Sequence, residues 1–442
     1  MRQRGHIKAP ENWINDPNGF IFYNGYYHVF YQHFPYAPRW GTMHWGHAVS
    51  KDLVHWEHKG IALYPTKYAD QNGCFSGSAV EHEGKLYLYY TGVHYQEIDP
   101  ENIHKCLNDR FESCQMMLVS EDGEHFDNLD KKRMIIPPLA DPRVGNRTHT
   151  RDPKVWRGSD AWYMVLGSSS QEQGKLLFYR SEDLKEWKLA GQTTRPGYGW
   201  MWECPDYFEA DGEKILLFSP MGFMKDGRGS EDMAVCTLVD FEEETCSMRI
   251  PDEYQFLDYG LDLYAPQSTL DEQGRRTMIA WLRMPEVVDG KWRGMMCLPR
   301  GVEVRNGHIC FPVHPEVQKA YSRKISSAAE ASEDGYRISL ELQDGEAVHI
   351  GGYQIWRKDG RIYTERSLVC VQNGKCRMQA ETPEVKEGRR LDIYVDKNMI
   401  EIYVNNGEYV ISHAVYGLGS EIRLEGTGTL EIYTFEDGIP GL

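Results

Sequence analysis

What the chain lacks narrows its class first. In 442 residues no stretch approaches the ~20 apolar residues of a membrane span. Residues 1–13 hold no apolar run, so no secretory signal is expected. There are ten cysteines but no Cys-x2-Cys pair, which argues against a zinc site. Free thiols in a reducing cytoplasm are the expectation, and the Asn146-Arg147-Thr148 glycosylation triplet then has no exported context. Basic residues are outnumbered, 49 Lys and Arg against 66 Asp and Glu, for a net charge of −17. That excess argues against nucleic acid and anionic membranes as partners. His44 and His47 have no third ligand nearby, so no metal is expected there; no cofactor is expected either.

What is present is a chain too long for one ordinary core, so two domains are expected. Its 41% hydrophobic and 12% aromatic content, with 12 Trp and 27 Tyr, suits a folded all-β protein. The densest local signal is Asn12-Trp13-Ile14-Asn15-Asp16-Pro17-Asn18-Gly19. Pro17 fixes its own φ and restricts Asp16 to extended geometry. Asn18-Gly19 reads as a tight turn. Alone, the stretch reads as an Asx turn capping a strand.

Repeats change that weight. Residues 16–32, 75–92, 151–167, 203–220 and 263–283 share one layout: a polar or small start, a short strand, a polar turn and an aromatic-rich strand. The turns fall near Gly25, Gly84, Asp160, Gly212 and Gly274. A second element, Ser-x-Asp leading to an aromatic, recurs at residues 50–56, 120–126 and 181–187. Repeats of this length and composition predict five propeller blades of about four strands each, filling residues 10–310. The first strand of each blade lines the central channel. Asp16, Asp152 and Glu203 stand eight or nine residues before their own turn markers. They are therefore expected at the same place in three blades, converging at one funnel mouth.

The motifs Trp13 to Gly19, Arg151-Asp152-Pro153 and Glu203-Cys204-Pro205-Asp206 resemble the three signatures of glycoside hydrolase family 32. Minor motifs resemble that family too: residues 45–50, 75–78, 262–265 and 294–300. The likeness runs along essentially the whole chain in the right order. It implies a five-bladed β-propeller followed by a C-terminal β-sandwich, and a retaining β-fructofuranosidase acting on sucrose or short fructo-oligosaccharides. A neutral sugar is indifferent to the chain's net charge.

Glycosidic cleavage needs one group to protonate the leaving oxygen and another to meet the anomeric cation; in a retaining enzyme the two carboxyls stand about 5–5.5 Å apart. The resemblance implies Asp16 as nucleophile and Glu203 as acid/base, with an ionised Asp16 favouring a protonated Glu203. It implies that Asp152 grips the furanose hydroxyls and that Arg151 offsets repulsion among the acids. Cys204 is expected either to tune Glu203 or to be an inert buried thiol. Asn15, Gln32, Trp40, Phe75, Ser76, Tyr264 and Trp281 are implied around the fructose. For Trp40 and Trp281 a core role competes, because blade aromatics mostly fill cores.

Residues 93–115, 137–150 and 224–233 read as rim loops. The domain expectation is a propeller over 1–313, a connector of one or two helical turns over 314–325, and a sandwich over 326–442. The sandwich's two-residue alternation, as in residues 391–395 and 400–404, predicts one face in a core and the other in water. It is assigned a packing role, and a homodimer contact is left open to it. Three departures from the family pattern stand out. Arg4-Gly5-His6-Ile7 lacks a Pro and Glu11-Asn12 replaces a more usual small residue before Trp13, both expected to matter at the funnel rim, and Asp396-Lys397-Asn398 replaces a usual Asp-Arg-Ser. Competing readings are a sucrose-6-phosphate hydrolase, a fructosyltransferase, an inverting propeller furanosidase and a carbohydrate-binding propeller without catalysis.

Overall fold

A computed structural model describes residues 2–225, 228–371 and 376–436. It is an all-β molecule: a five-bladed propeller followed by a β-sandwich. Blade I holds Asn12–Tyr23, Tyr26–Phe34, His44–Ser50 and His55–Leu63, with Arg2–Arg4 on its outer edge. Blade II holds Cys74–His82, Lys85–Tyr95, Phe111–Ser120 and Arg133–Ile136. Blade III holds Arg151–Arg157, Trp162–Ser170, Gln173–Ser181 and Lys188–Thr194. Blade IV holds Met201–Ala210, Glu213–Met221, Val235–Leu238 and Gln255–Phe256. Blade V is built on Leu263–Leu270 and Arg276–Leu282, which Met295–Met296 and Arg300–Gly301 flank. The ring closes where Trp292–Arg293 pairs in parallel with Asn12 and Trp13.

The local chemistry explains the hairpins. Asn24-Gly25, Glu83-Gly84 and Asp211-Gly212 all take positive φ at both turn residues. That is the tight turn whose twist matches its flanking strands. The Ser-x-Asp element also has one structure. Asp52 Oδ1 accepts from the backbone N–H groups of Val54 and His55, Asp122 from Glu124 and His125, and Asp183 from Lys185 and Glu186. Asn18-Gly19 is different from expectation: it lies inside strand Asn12–Tyr23, at a register shift between Asn18 and Ile21. Gly19 has φ +51°, and a Cβ there would stand 2.7 Å from the Phe30 ring, so only glycine fits this bulge.

The connector contains one short helix, Pro315–Ala320, whose first turn is capped by the His314 side chain. Strand Arg323–Ile325 already pairs with Leu430–Thr434 in the sandwich. The sandwich has a six-stranded and a five-stranded sheet. Its interior is filled by side chains such as Ile338, Ile355, Ile393, Ile402 and Ile411. The alternation was misread in one respect. Strands Arg390–Val395 and Met399–Val404 are buried on both faces. Tyr394, Met399 and Tyr403 point away from the sandwich core and pack with Leu263, Leu298 and Phe311 of the propeller. The second face meets the propeller, where water was expected. His6 belongs to this junction and not to the funnel rim: it is 1% exposed and bonds Asp396 and Glu401 of the sandwich. The rim-loop expectation for 224–233 falls partly outside the described residues.

Candidate active site

All five inner strands break register at one height, between Ile14 and Pro17, Phe75 and Gly77, Arg151 and Lys154, Glu203 and Asp206, and Tyr264 and Gln267. A bulge leaves extra residues unpaired and re-aims them. The residues left unpaired are Asn15 and Asp16, Ser76, Asp152 and Pro153, Cys204 and Pro205, and Ala265 and Pro266. Glu203, like Arg151, is the last paired residue before its bulge, whereas Asp16 and Asp152 lie within theirs. Asp152, Cys204 and Ala265, each the first unpaired residue of its bulge, hold positive φ (66°, 48° and 52°). Such backbone costs on the order of 1–3 kcal/mol each and persists where the surroundings enforce it.

Asn15, Asp16, Gln32, Trp40, Phe75, Ser76, Arg151, Asp152 and Glu203 line one funnel of about 410 Å³. Asp16 accepts from Ser76 Oγ at 2.6 Å on Oδ2 and from Asn15 Nδ2 at 3.0 Å on Oδ1. Asn15 is itself oriented, because its Oδ1 takes the Trp13 indole N–H at 2.7 Å. Gln32 is pinned by donating to Cys74 O. Asp152 Oδ2 accepts the Cys204 backbone N–H at 2.9 Å. The Cys204 thiol lies 3.5 Å from Asp16 Oδ2 and 3.6 Å from Asp152 Oδ2. Its hydrogen-bond contacts are thus with those two acids. Burial, with the charges of Asp152, Asp16 and Glu203, holds the thiol well above its ordinary pKa, so it stays protonated.

Glu203 Oε1 accepts from Arg151 Nε at 3.0 Å and Nη2 at 2.8 Å. Its Oε2 faces the Tyr264 hydroxyl at 2.6 Å. Tyr264 is buried against Glu203, and its hydroxyl also lies 3.3 Å from Ser219 O. Burial raises the pKa of Asp16; the Ser76 bond opposes this and the charge of Glu203 adds to it. Burial pushes Asp152 up to about 7, against the pull of Arg151 and with the push of Glu203 and Asp16. Buried beside one another, Asp16 and Asp152 each hold a proton more readily than an exposed carboxylate does.

Trp281 is not among the residues that line this funnel. It packs edge-to-face on Trp13 at 5.8 Å and lines a neighbouring cavity of about 450 Å³. The bulky indole on strand Arg276–Leu282 serves the joint between blades V and I. The funnel also has walls that were not picked out residue by residue: Tyr95, Lys105, Cys106, Asp109, Phe111 and His149. The signal for them was the length of the 93–115 and 137–150 connections. His149 accepts from Arg151 Nη1 at 3.2 Å, and burial, with the charge of Arg151, lowers it to about 4, so it is neutral. Among the described residues no group of three His, Cys, Asp or Glu is arranged to hold a metal, and no helix is long and apolar enough to cross a membrane.

Comparison with known proteins agrees along the whole chain. Residues 6–312 match the Glycosyl hydrolases family 32 N-terminal domain, and residues 326–436 match the Glycosyl hydrolases family 32 C terminal. The raffinose invertase of Escherichia coli is 33% identical, over 93% of this chain and 88% of that protein. The sucrose-6-phosphate hydrolase of Bacillus subtilis (strain 168) is 32% identical, over 98% and 92%. The solved β-fructofuranosidase of Bombyx mori superposes with a TM-score of 0.82 at 31% identity, covering 98% of this chain and 93% of that one. With both halves matched in order and relatives about a third identical over nearly its full length, this chain belongs to glycosyl hydrolase family 32.

Proposed function

We propose that this glycoside hydrolase is a retaining β-fructofuranosidase that releases terminal fructose from sucrose or short fructo-oligosaccharides. The observation that carries the reading is the meeting of Asp16, Asp152 and Glu203 around Cys204 and Arg151 at one funnel floor. In this reading Asp16 attacks the anomeric carbon of the fructosyl unit. Ser76 and Asn15 hold its two oxygens, so the carboxylate is oriented before substrate arrives. Glu203 gives its proton to the departing oxygen and then takes one from the water that releases fructose. Asp152 accepts from furanose hydroxyls and favours the oxocarbenium-like state.

Tyr264 suits both protonation states of Glu203. Its hydroxyl has one proton and two acceptors within reach, Glu203 Oε2 and Ser219 O. With Glu203 ionised it donates to the carboxylate. With Glu203 protonated before substrate binds, it accepts from the carboxyl and turns its own proton to the Ser219 carbonyl; with substrate bound, the carboxyl hydrogen turns to the departing oxygen. The buried site therefore keeps its hydrogen bonds as the proton moves.

A second reading, sucrose 6-phosphate as substrate, is favoured by the names of several relatives and by Lys105 on the funnel wall. A variant of the Bombyx mori enzyme has been solved with sucrose bound, which supports the unphosphorylated substrate for that relative. The ten cysteines are free thiols, which supports a reducing, cytoplasmic setting.

The test is product analysis on sucrose, sucrose 6-phosphate and a short inulin-type oligomer, beside Asp16→Ala. Free fructose from sucrose or the oligomer, lost in the variant, is the expected result. Turnover confined to the phosphorylated sugar moves the assignment to the second reading. No turnover of any of the three overturns both.

A further inference from the structure

The sandwich reaches the catalytic floor through one buried ion pair. Arg366 follows strand Arg361–Glu365 of the five-stranded sheet and has no exposed surface. Its Nη1 and Nη2 grip Asp262 Oδ2 and Oδ1 at 2.5 and 3.0 Å. Nη1 also donates to Ala414 O and Nε to Arg377 O, so the guanidinium is fixed within its own domain. The Ala414 N–H adds a third sandwich donor to Asp262 Oδ2 at 3.0 Å. Every bond described for the Asp262 carboxylate thus comes from the sandwich, although the residue belongs to the propeller.

Asp262 immediately precedes strand Leu263–Leu270, whose second residue is Tyr264. The Asp262 carbonyl accepts the Arg283 backbone N–H at 2.9 Å. The Arg283 guanidinium lies over the Tyr264 ring, 5.1 Å from its centroid. The Tyr264 hydroxyl then meets Glu203 Oε2 at 2.6 Å. Four contacts in series, the Arg366–Asp262 pair and these three, join the sandwich to the proton-donating carboxyl.

We propose that Arg366 is a positioning residue for the cleavage step: by clamping Asp262 it sets the place of Tyr264, and through Tyr264 the orientation of Glu203. The proposal rests on the reading of Glu203 as the acid/base. It gives the sandwich a part in catalysis beyond packing. Because the pair is buried, removing one partner leaves an uncompensated charge that endangers folding. The test therefore uses Arg366→Gln and the neutral pair Arg366→Gln with Asp262→Asn, which retains hydrogen-bonding groups without a lone charge.

The measurement is kcat/KM for sucrose and for an aryl β-fructofuranoside with a good leaving group, on protein of verified native melting behaviour. Sucrose needs proton donation to glucose, whereas the aryl leaving group departs nearly unaided. A positioning role predicts a loss on sucrose of about 10–100-fold, the scale of a small misplacement of a catalytic group, and a much smaller loss on the aryl substrate. Tyr264→Phe should reproduce that selectivity. Equal losses on both substrates, or none in the folded neutral pair, overturn the proposal and leave Arg366 a packing residue. Wild-type protein that cleaves neither substrate overturns the β-fructofuranosidase reading itself, which is a separate outcome.

Discussion

Glu203 and Asp152 lie in one site, but the residues around them ask different things of each. Glu203 has a hydrogen-bond partner on each oxygen, Arg151 on Oε1 and the Tyr264 hydroxyl on Oε2, which fixes the carboxyl in place. Glu203→Ala is expected to lower turnover of sucrose by roughly 10²–10⁴-fold, with an aryl fructoside affected less in the first step. Equal loss on the two substrates would count against Glu203 as the acid. Asp152 shows what the site costs the fold. Its pKa is raised to about 7, first by burial. A raised carboxyl contributes its full stability below the unfolded pKa of 3.8, and that contribution is lost as pH rises through 7. Ionising it above that pH costs the fold on the order of 2–4 kcal/mol. Asp152→Asn should therefore melt near the wild-type temperature at pH 4 and increasingly above it towards pH 8, while activity is lost. Thermal melts across that range check this, and a pH-independent difference would refute it. These acids were legible because each sits in a short motif with a proline one or two residues on. The contact of the Cys204 thiol with Asp16 and Asp152 was not, since it joins three blades and depends on the bulge at Cys204.

At the scale of elements, the hairpins could be read from their Asn-Gly and Glu-Gly pairs, because turn chemistry is local. The bulges could not, because a register shift is a relation between two strands. Yet the bulges make the site, and a further ring below them holds it together. Asn18 Oδ1 accepts from Gly77 N of the next blade, Ser78 Oγ from Val155 N, Asp206 Oδ2 from Ser268 N, and Gln267 Oε1 from Phe20 N. Lys154 closes the remaining step with Asp206 at 3.0 Å. Blades I, II, IV and V thus each hand a side chain to the next blade's backbone, and blade III reaches blade IV side chain to side chain. Such close approach demands small residues. Gly167 pairs with Arg151, and a Cβ on it would stand 1.7 Å from the carbonyl oxygen of Trp202. Backbone on both sides leaves nothing that can swing away. Gly167→Ala should push blades III and IV apart where Arg151 meets Glu203. The expected cost is roughly 1–3 kcal/mol, with a fall in kcat as Glu203 is displaced. A variant with wild-type melting temperature and kcat would show that this approach is not required.

Over the whole molecule, the outward face of the sandwich was the part hardest to foresee. Its alternating strands carry Glu401 and Tyr403 where a solvated face was expected, and polar residues at every second place look the same in sequence whether they meet water or another domain. Here they meet Arg300 of the propeller, which has no exposed surface and donates to Glu401 at 2.6 Å, Tyr403 at 3.1 Å and Asp258 at 3.1 Å. Glu401 also takes His6 Nε2 at 2.8 Å and the Leu298 N–H at 2.8 Å. One apolar cluster continues across the same junction, from Leu263 and Phe311 to Tyr394 and Tyr403. Two units that share a core and a buried charge network should unfold together, so calorimetry should give one transition. Arg300→Met leaves Glu401 and Asp258 buried without their cation, and should lower stability by roughly 3–5 kcal/mol. Burial alone would raise Glu401, but Arg300 and His6 hold it down to about 2. A depressed carboxyl contributes stability above its unfolded pKa of 4.5 and loses it as pH falls through 2. Acid should therefore weaken the wild-type junction progressively between pH 4.5 and 2. If the domains are coupled as this network implies, the single transition moves down without splitting, both on acidification and in Arg300→Met. Two resolved transitions in wild-type protein near neutral pH would mean that the domains are stable apart and that the junction only tethers them.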